Sequence, residues 1–500
     1  SMSKGSIMQP LIVAQQLTQG VADFLQTAFP STTPGFAGMI ERFLTQPDAL
    51  FKGPYLTVPL PFRPGGAAGR PPFDWLAPDF IPHAHQSKAF ARLTGETAQS
   101  TLVATGTGSG KTECFLFPIL EHCRQARAHG EGGIKAIILY PMNALAADQA
   151  GRLARLILTT PALRGLRAGL YVGEAPAEES KTVDRLSDGN PSLITCRQTL
   201  RDHPPDILLT NYKMLDFLLL RAADAGLWAQ QRPDSLRYLV VDELHTFDGA
   251  QATDLACLIR RLKGRLDTPP GQLVCVGTSA TLGDGRDDGG DAGLDGLLAF
   301  AGDVFGETLD PAAVIAEDRI PVGDYLADAL VEFMRNPGPA DVALLDPATF
   351  PDADAYLAAQ AELWFGEPVA VAEVADFAWR CALGDKLKGH FAFQNLLRDL
   401  DRAGERRGGR SVPVAALIQL LMRRLSPRDD PRFALLWLSS LLALVAHARK
   451  PGKQDFFLQV KVEVWLPAVP NLGGRRQQRV GSEADGGCAA LIHPTKPAPL

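Results

Sequence analysis

The chain has 500 residues, of which 46% are hydrophobic and 21% are charged, and its formal net charge is −6. These proportions exclude an intrinsically disordered chain, and the length predicts about two to four globular domains. Because the overall field of an acidic chain repels phosphate, any contact with nucleic acid has to come from local basic patches.

The seven cysteines form no Cys-x-x-Cys pair. They are predicted to be reduced residues in the cores of a cytoplasmic protein, with neither a disulfide framework nor a zinc site. No apolar run reaches the roughly 18 residues that a membrane span needs, so we expect no contact with a membrane and read residues 435–448 as a buried helix. The first residues show no secretory signal.

Residues 1–81 are predicted to be a separate N-terminal extension. Their sequence contains a helical segment at 11–29 and a proline-rich segment at 52–65. Neither segment shows the alternation of strands and helices that begins at about residue 82.

A phosphate-binding loop is predicted at 104–113, where the sequence reads ATGTGSGKTE. Gly108 and Gly110 supply a permissive backbone, Lys111 supplies a charge for the β- and γ-phosphates, and the Thr112 hydroxyl is a ligand for Mg²⁺. The first position of the common pattern is Thr105 instead of glycine. The flanks favour phosphate binding over a plain glycine-rich turn, because an apolar strand precedes the loop and a helical pattern follows it.

From about 82 to 282, six apolar strands alternate with helices. Continuous Val, Ile and Leu runs are typical of a parallel sheet covered on both faces, so the predicted fold class is α/β, with one doubly wound parallel sheet. Within it, Asp242 and Glu243 follow the apolar strand YLVV. Asp242 is predicted to hold Mg²⁺ and Glu243 to orient or deprotonate the attacking water, the alternative being that both acids cap a helix.

The pattern changes after this region. Residues 283–297 are predicted to form a mobile loop, because they are rich in glycine and aspartate, and residues 321–450 are predicted to be mainly helical, with helices at 325–335, 414–425 and 432–448. A strand is expected at 456–466, within a β-containing segment and tail at 451–500.

Several motifs together resemble the first RecA-like domain of superfamily 2 DExH-box helicases, in the YprA-like branch. They are ATGTGSGKT (104–112), YPMNALAADQ (140–149), ILLTNYKML (207–215), DELH (242–245) with the 18 residues after it, and GTSATLG (277–283). The resemblance covers residues 82–320 and implies a P-loop ATPase. The branch also uses threonine at the first position of the loop. The extension at 1–81 is similar to those of large prokaryotic helicases of Druantia and DISARM anti-phage systems.

The resemblance implies roles for further residues. Gln86 matches the residue that reads adenine, and His245 matches one that couples ATP hydrolysis to nucleic-acid binding. The implied nucleotide-binding loop comprises Thr107, Gly108, Ser109, Gly110, Lys111 and Thr112. The implied coupling triplet is Ser279, Ala280 and Thr281. The implied contacts to a nucleic-acid strand are Pro141, Asn143, Thr210 and Asn211, each of which has helix capping as an alternative.

The sequence departs from the family after residue 320. No Gln-x-x-Gly-Arg-x-Gly-Arg-like motif of a second RecA-like domain is found in 321–500. The chain is therefore expected to be an N-terminal part of its parent protein, to bind ATP with Mg²⁺ and to hydrolyse it very slowly by itself. Three arginine-rich segments, at 402–410, 422–428 and 473–479, are interpreted as solvated loops, with DNA binding as the alternative.

The predicted function of the parent protein is that of an ATP-dependent DNA helicase or translocase in anti-phage defence. Its expected partners are DNA with a single-stranded region and a protein of the same defence system. Two alternatives stay open at this point: a translocase on duplex DNA that does not separate strands, and a non-catalytic scaffold that binds nucleic acid or protein.

Overall fold

A computed structural model describes residues 10–28, 38–44, 51–65, 73–106, 108–173, 192–279, 291–405, 411–425, 430–452, 455–465 and 479–480. The chain divides into two compact units. One comprises residues 62–319, and the other combines residues 1–61 with residues 320–500. The division differs from the expected boundary at residue 82 and from a separate N-terminal extension.

In chain order, the strands of the described residues are β1 (Lys52–Thr57), β2 (Thr101–Ala104), β3 (Ala136–Leu139), β4 (Ala168–Tyr171), β5 (Leu193–Ile194), β6 (Ile207–Thr210), β7 (Tyr238–Val241), β8 (Val274–Ser279), β9 (Val314–Ala316), β10 (Val412–Pro413), β11 (Lys461–Trp465) and β12 (Arg479–Val480).

The α-helices of the described residues are α1 (Pro10–Ala28), α2 (Met39–Leu44), α3 (Ala84–Leu93), α4 (Lys111–Ala128), α5 (Asn143–Thr159), α6 (Arg197–Asp202), α7 (Tyr212–Leu220), α8 (Gly249–Arg265), α9 (Asp291–Phe305), α10 (Val322–Tyr325), α11 (Val342–Leu345), α12 (Ala353–Phe365), α13 (Phe377–Lys388), α14 (Phe391–Glu405), α15 (Val414–Arg424) and α16 (Pro431–His447).

The unit at 62–319 is built on a parallel sheet. Within the described residues it has eight strands in the order β5-β4-β6-β3-β7-β8-β2-β9. Separate apolar cores lie on its two faces, as the uninterrupted Val, Ile and Leu runs require. The α/β class with a doubly wound, RecA-like parallel sheet is therefore confirmed.

The strand order of this sheet determines which loops lie beside the predicted phosphate-binding loop. The register pairs Ala104 of β2 with Ser279 of β8 and with Ala316 of β9. On the far side of β8, Val241 of β7 pairs with Gly277. Because parallel strands end at the same edge of a sheet, the loops that follow β2, β7, β8 and β9 meet there.

The other unit contains an antiparallel sheet with the order β10-β1-β11-β12. β1 pairs with β10 and with β11, strands that come more than 350 residues later in the chain. Residues 52–57 are thus part of a fold completed by the C-terminal half of the chain. A short strand such as β1 cannot bury its face alone and depends on its neighbours in the sheet.

The predicted helix at 325–335 is wrong. α10 ends at Tyr325, and the backbone N–H groups of Glu332 and Phe333 donate to the carbonyl of Gly389 at 2.9 and 3.1 Å. Tertiary hydrogen bonds thus replace the helical ones, and Leu330 stays 79% exposed. Helical spacing of apolar residues is a weak guide where a distant segment offers better backbone partners.

Other expectations have mixed outcomes. α16 is largely buried, as expected for 435–448, and no helix within the described residues is long and apolar enough to cross a membrane.

Cys257 is exposed, unlike the core position expected of it. Residues 291–297 of the expected glycine- and aspartate-rich loop belong to α9. The rest of that loop, Cys488, 406–410, 426–429 and 473–478 lie outside the described residues.

Candidate nucleotide-binding site

The phosphate-binding loop joins the end of β2 to the start of α4 at Lys111. Gly108 and Gly110 have φ angles of 77° and 75°, a left-handed conformation that side chains other than glycine rarely adopt. A Cβ atom at Gly110 would also lie 2.3 Å from Nε2 of Gln86. The two glycines are therefore required by the backbone at the N-terminus of α4, where amide groups and the helix dipole favour an anion.

Thr105, the residue that replaces glycine at the first position of the loop, has a structural role. Its side chain is buried, and its Oγ1 accepts a hydrogen bond of 2.8 Å from the Ser109 hydroxyl. The hydroxyl of Thr105 thus joins the two ends of the loop. Ser109, predicted as a nucleotide-binding residue, is itself fully buried, and Thr107 lies outside the described residues.

Lys111 and Glu243 meet across the carboxyl edge of the sheet. Lys111 Nζ lies 2.8 Å from Glu243 Oε1, and both side chains are mostly buried. Glu243 has a φ of 52°, a left-handed conformation that costs energy for a glutamate and is common at functional sites. The turn after β7 therefore directs this carboxylate towards the phosphate-binding loop.

Thr278 of β8 holds the two acidic residues in place. Its hydroxyl donates to Asp242 Oδ1 at 2.5 Å and accepts from the backbone N–H of Glu243 at 3.0 Å. Thr278 was not predicted from the sequence, although it comes just before the Ser279 triplet, in the strand next to β7.

Asp242 has an unfavourable environment for a carboxylate. It is 9% exposed, and burial raises its pKa, reinforced by the nearby charge of Glu243 and opposed by the Thr278 hydrogen bond and by Lys111. A divalent cation beside Asp242 would restore the ionised form. Thr112, on the first turn of α4, would supply a second oxygen of the type that Mg²⁺ prefers.

His245 and Ser279 continue this cluster. His245 Nδ1 lies 3.4 Å from Glu243 Oε2 and 3.3 Å from the hydroxyl of Ser279. The structure thus brings together two residues predicted to couple the nucleotide to nucleic acid. Ala280 and Thr281, the rest of the predicted triplet, lie outside the described residues.

Gln86 lies on α3, beside the phosphate-binding loop. Its Oε1 accepts from the backbone N–H of His83 at 2.9 Å, and its Nε2 donates to the carbonyl of Gly110 at 3.2 Å. The neighbouring His85 is fully buried, and its Nε2 lies 2.8 Å from the carbonyl of Ser109. Burial lowers the pKa of His85. α3 therefore contacts the end of the loop through two consecutive side chains, of which sequence analysis identified only Gln86.

The residues predicted to contact a nucleic-acid strand separate into two groups. Asn211 Nδ2 donates to Asn143 Oδ1 at 2.7 Å in an exposed pair, and Asn211 also caps α7 by accepting from Met214 N. Pro141 is half-buried beside them. Thr210, by contrast, is fully buried, and its hydroxyl donates to the carbonyl of Tyr171 at 2.6 Å. The Thr210 side chain is therefore directed into the fold, unlike the contact expected of it.

Comparison with known proteins agrees with this geometry. Residues 83–288 match the family model of the DEAD/DEAH box helicase. Druantia protein DruE of Escherichia coli is 26% identical over 371 residues, which cover 54% of this chain and 20% of that protein. The uncharacterized ATP-dependent helicase YprA of Bacillus subtilis is 28% identical over 207 residues, which cover 41% of this chain and 24% of that protein.

A crystal structure of the DUF1998 helicase MrfA bound to DNA is also similar to the chain, with 22% identity and a TM-score of 0.38. The similarity covers 56% of this chain and 32% of that one. The matches to DruE and YprA span only about a fifth to a quarter of those proteins. In its ordered motifs, in the meeting of Lys111 with the acidic pair and in the family match, the segment at 83–288 is similar to a DEAD/DEAH box helicase domain.

Proposed function

We propose that this chain is the nucleotide-binding part of an ATP-dependent DNA helicase or translocase that acts in anti-phage defence. The observation that carries the proposal is the meeting of Lys111, Asp242 and Glu243 at one edge of the sheet. The ammonium–carboxylate distance is 2.8 Å, and the acidic pair is held by Thr278. A vestigial P-loop in a non-catalytic scaffold has no need of this arrangement.

In the proposed reaction, Lys111 binds the β- and γ-phosphates of ATP, while Thr112 and Asp242 hold Mg²⁺. When bound, Mg²⁺ would supply positive charge to neutralise the phosphates. Glu243 orients the attacking water and accepts its proton. Gln86, which contacts Gly110 through its amide, is the proposed residue that reads the adenine base.

The exposed pair Asn143 and Asn211 is the proposed contact with a nucleic-acid strand. Both residues follow strands that end at the carboxyl edge of the sheet, β3 and β6. Short amides in such positions bind phosphate oxygens and fix the register of a strand without reading its sequence. The match to a Druantia protein over 54% of the chain supports defence as the role.

The test uses the full-length protein that contains this chain. We expect ATPase activity that is stimulated by single-stranded DNA and lost in Lys111→Ala. Stimulation by single-stranded RNA alone would reject DNA as the substrate. Failure of ADP with Mg²⁺ to raise the melting temperature would reject the nucleotide site itself.

A second pair of assays separates the two kinds of motor. A helicase displaces a strand from a forked duplex, whereas a translocase on duplex displaces only the third strand of a triplex. Triplex displacement without strand displacement would support the translocase alternative.

A further inference from the structure

Glu317 follows β9 directly, at the same edge of the sheet as the phosphate-binding loop. Its Oε1 accepts a hydrogen bond of 2.5 Å from the backbone N–H of Gly106, 211 residues earlier in the chain. Glu317 belongs to none of the motifs in the sequence. We propose that Glu317 is a positioning residue for nucleotide binding, which holds the first half of the phosphate-binding loop through Gly106; this proposal rests on the proposed ATP-binding function.

A carboxylate beside a phosphate-binding loop would by itself repel phosphate. Arg319 neutralises this charge, because its Nε donates to Glu317 Oε2 at 2.8 Å and both side chains are largely buried. Each Glu317 oxygen thus has a donor, and the pair carries no net charge. The hydrogen bond to Gly106 is charge-assisted, a type stronger than a neutral one.

Aromatic packing extends this support to the second half of the loop. The guanidinium of Arg319 lies 3.8 Å from the centroid of the Phe62 ring, and the Phe62 ring lies 5.1 Å from that of His85. His85 in turn contacts the carbonyl of Ser109. Gly106 and Ser109 are therefore linked by side chains from outside the loop, through Glu317, Arg319 and Phe62.

Gly106 offers an independent probe of the same contact. A Cβ atom added there would lie 2.7 Å from Glu317 Oε1 and 3.8 Å from the Cδ of the same side chain, the atoms that come within 4 Å of it among the described residues other than its chain neighbours. An alanine at 106 therefore conflicts with Glu317 and with little else. If Glu317 is removed, the conflict disappears.

The experiment measures the Kd of ADP with Mg²⁺ for the full chain. Glu317→Ala should weaken ADP binding about tenfold, which corresponds to about 1.4 kcal/mol. Glu317→Gln keeps an acceptor for Gly106 and should lose less than about threefold. The matched control is Asp318→Ala, which breaks ion pairs with Arg63 and Lys88 and should leave the Kd within about twofold of that of the unmodified chain.

A double-mutant cycle tests whether the effect passes through Gly106. Gly106→Ala should weaken ADP binding in the unmodified chain but have little further effect in the Glu317→Ala background. This arm also covers the case in which Glu317→Ala does not fold, since Gly106→Ala must then weaken binding by itself.

The outcomes distinguish this proposal from the proposed function. If the unmodified chain does not bind ADP, the nucleotide site is wrong. If it binds ADP and Lys111→Ala does not, while Glu317→Ala binds as well as or more tightly than the unmodified chain, only the role of Glu317 is wrong. Equal losses in the alanine and glutamine variants, or additive effects in the cycle, would also overturn that role.

Discussion

Lys111 Nζ lies 2.8 Å from Glu243 Oε1, although 132 residues separate the two in the chain. The ion pair joins the start of α4 to the turn after β7. The cation expected to bind phosphate is thus held by the carboxylate expected to act on water. Under the proposed function, we expect a bound nucleotide to replace this carboxylate with a phosphate at Lys111 and so to free Glu243 for its proposed role as general base.

Lys111→Ala should abolish stabilisation by nucleotide. ADP with Mg²⁺ at 100 times its Kd should raise the free energy of unfolding of the unmodified chain by about 2.7 kcal/mol. The variant should show no such increase, because the charge that binds the phosphates is gone. Thermal unfolding with and without ADP measures the difference. Lys88→Ala is the control, since Lys88 is 61% exposed and pairs with Asp318; a normal increase in Lys111→Ala would reject the assignment of Lys111.

Glu243→Gln should separate binding from hydrolysis. The amide keeps the size of the side chain but cannot accept a proton from water, so kcat should fall by about 10²–10⁴. Affinity for ATP should stay the same or increase, because the competing ion pair with Lys111 is weakened. Steady-state phosphate release by the full-length protein with single-stranded DNA, beside ATP titrations, gives both quantities. A variant with full kcat would exclude Glu243 as the general base.

Asp242→Asn should make the fold more stable and the site inactive. The buried carboxylate has a raised pKa, which means that its ionised form is disfavoured in the fold at neutral pH. An amide of the same shape removes this cost, and each kcal/mol gained should raise the melting temperature by about 2–4 °C. The dependence of ADP binding on Mg²⁺ should disappear. A lower melting temperature together with Mg²⁺-dependent binding would contradict the assignment of Asp242.

Thr210→Val should lower stability without changing affinity for DNA, and Asn143→Ala should do the reverse. Thr210→Val leaves the Tyr171 carbonyl without its donor, at a cost of about 1 kcal/mol in stability, and should not change affinity for DNA. Asn143→Ala removes an exposed amide, so it should leave the melting temperature nearly unchanged and weaken binding to all DNA sequences alike. Urea unfolding and fluorescence anisotropy with two unrelated oligonucleotides measure these effects. Loss of affinity for only one oligonucleotide would contradict the phosphate contact.

His447 should make stability depend on pH in the unit that contains it. Burial lowers its pKa to about 4, and its Nε2 lies 2.8 Å from the Val374 carbonyl. As the pH falls from 6.5 towards 4, the unfolded chain binds a proton that the folded chain does not, so the free energy of unfolding decreases. The loss should be about 2 kcal/mol at pH 5.

The His447 prediction is checked by urea unfolding at pH 7 and pH 5. His122, whose pKa is also lowered to about 4 by burial, contributes in both chains, so the informative quantity is the difference between the unmodified chain and His447→Gln. Glutamine can still donate to Val374 but does not titrate. An equal loss of stability in the two chains would show that His447 does not cause it.

The sequence by itself was sufficient to predict the sheet, and it also identified the residues for which chemistry is proposed at the edge of that sheet. Apolar runs of four to six residues mark β2, β3, β4, β6, β7 and β8, because a parallel sheet buried on both faces allows no polar alternation. Gly108, Gly110 and Lys111 could be identified from the sequence for a similar reason. A left-handed turn requires glycine and a phosphate requires a cation, and both needs act over a few neighbouring residues.

Only the tertiary structure decided the partners that come from distant parts of the chain. The pairing of β1 with β11, the support of Asp242 by Thr278 and the contact between Glu317 and Gly106 each join segments whose local patterns do not depend on one another. Thr210 shows the same limit, since its short polar side chain suggests a surface contact until the Tyr171 carbonyl is found beside it. Local propensity acts over a few residues, whereas a buried hydrogen bond is determined by whichever group the fold brings within reach.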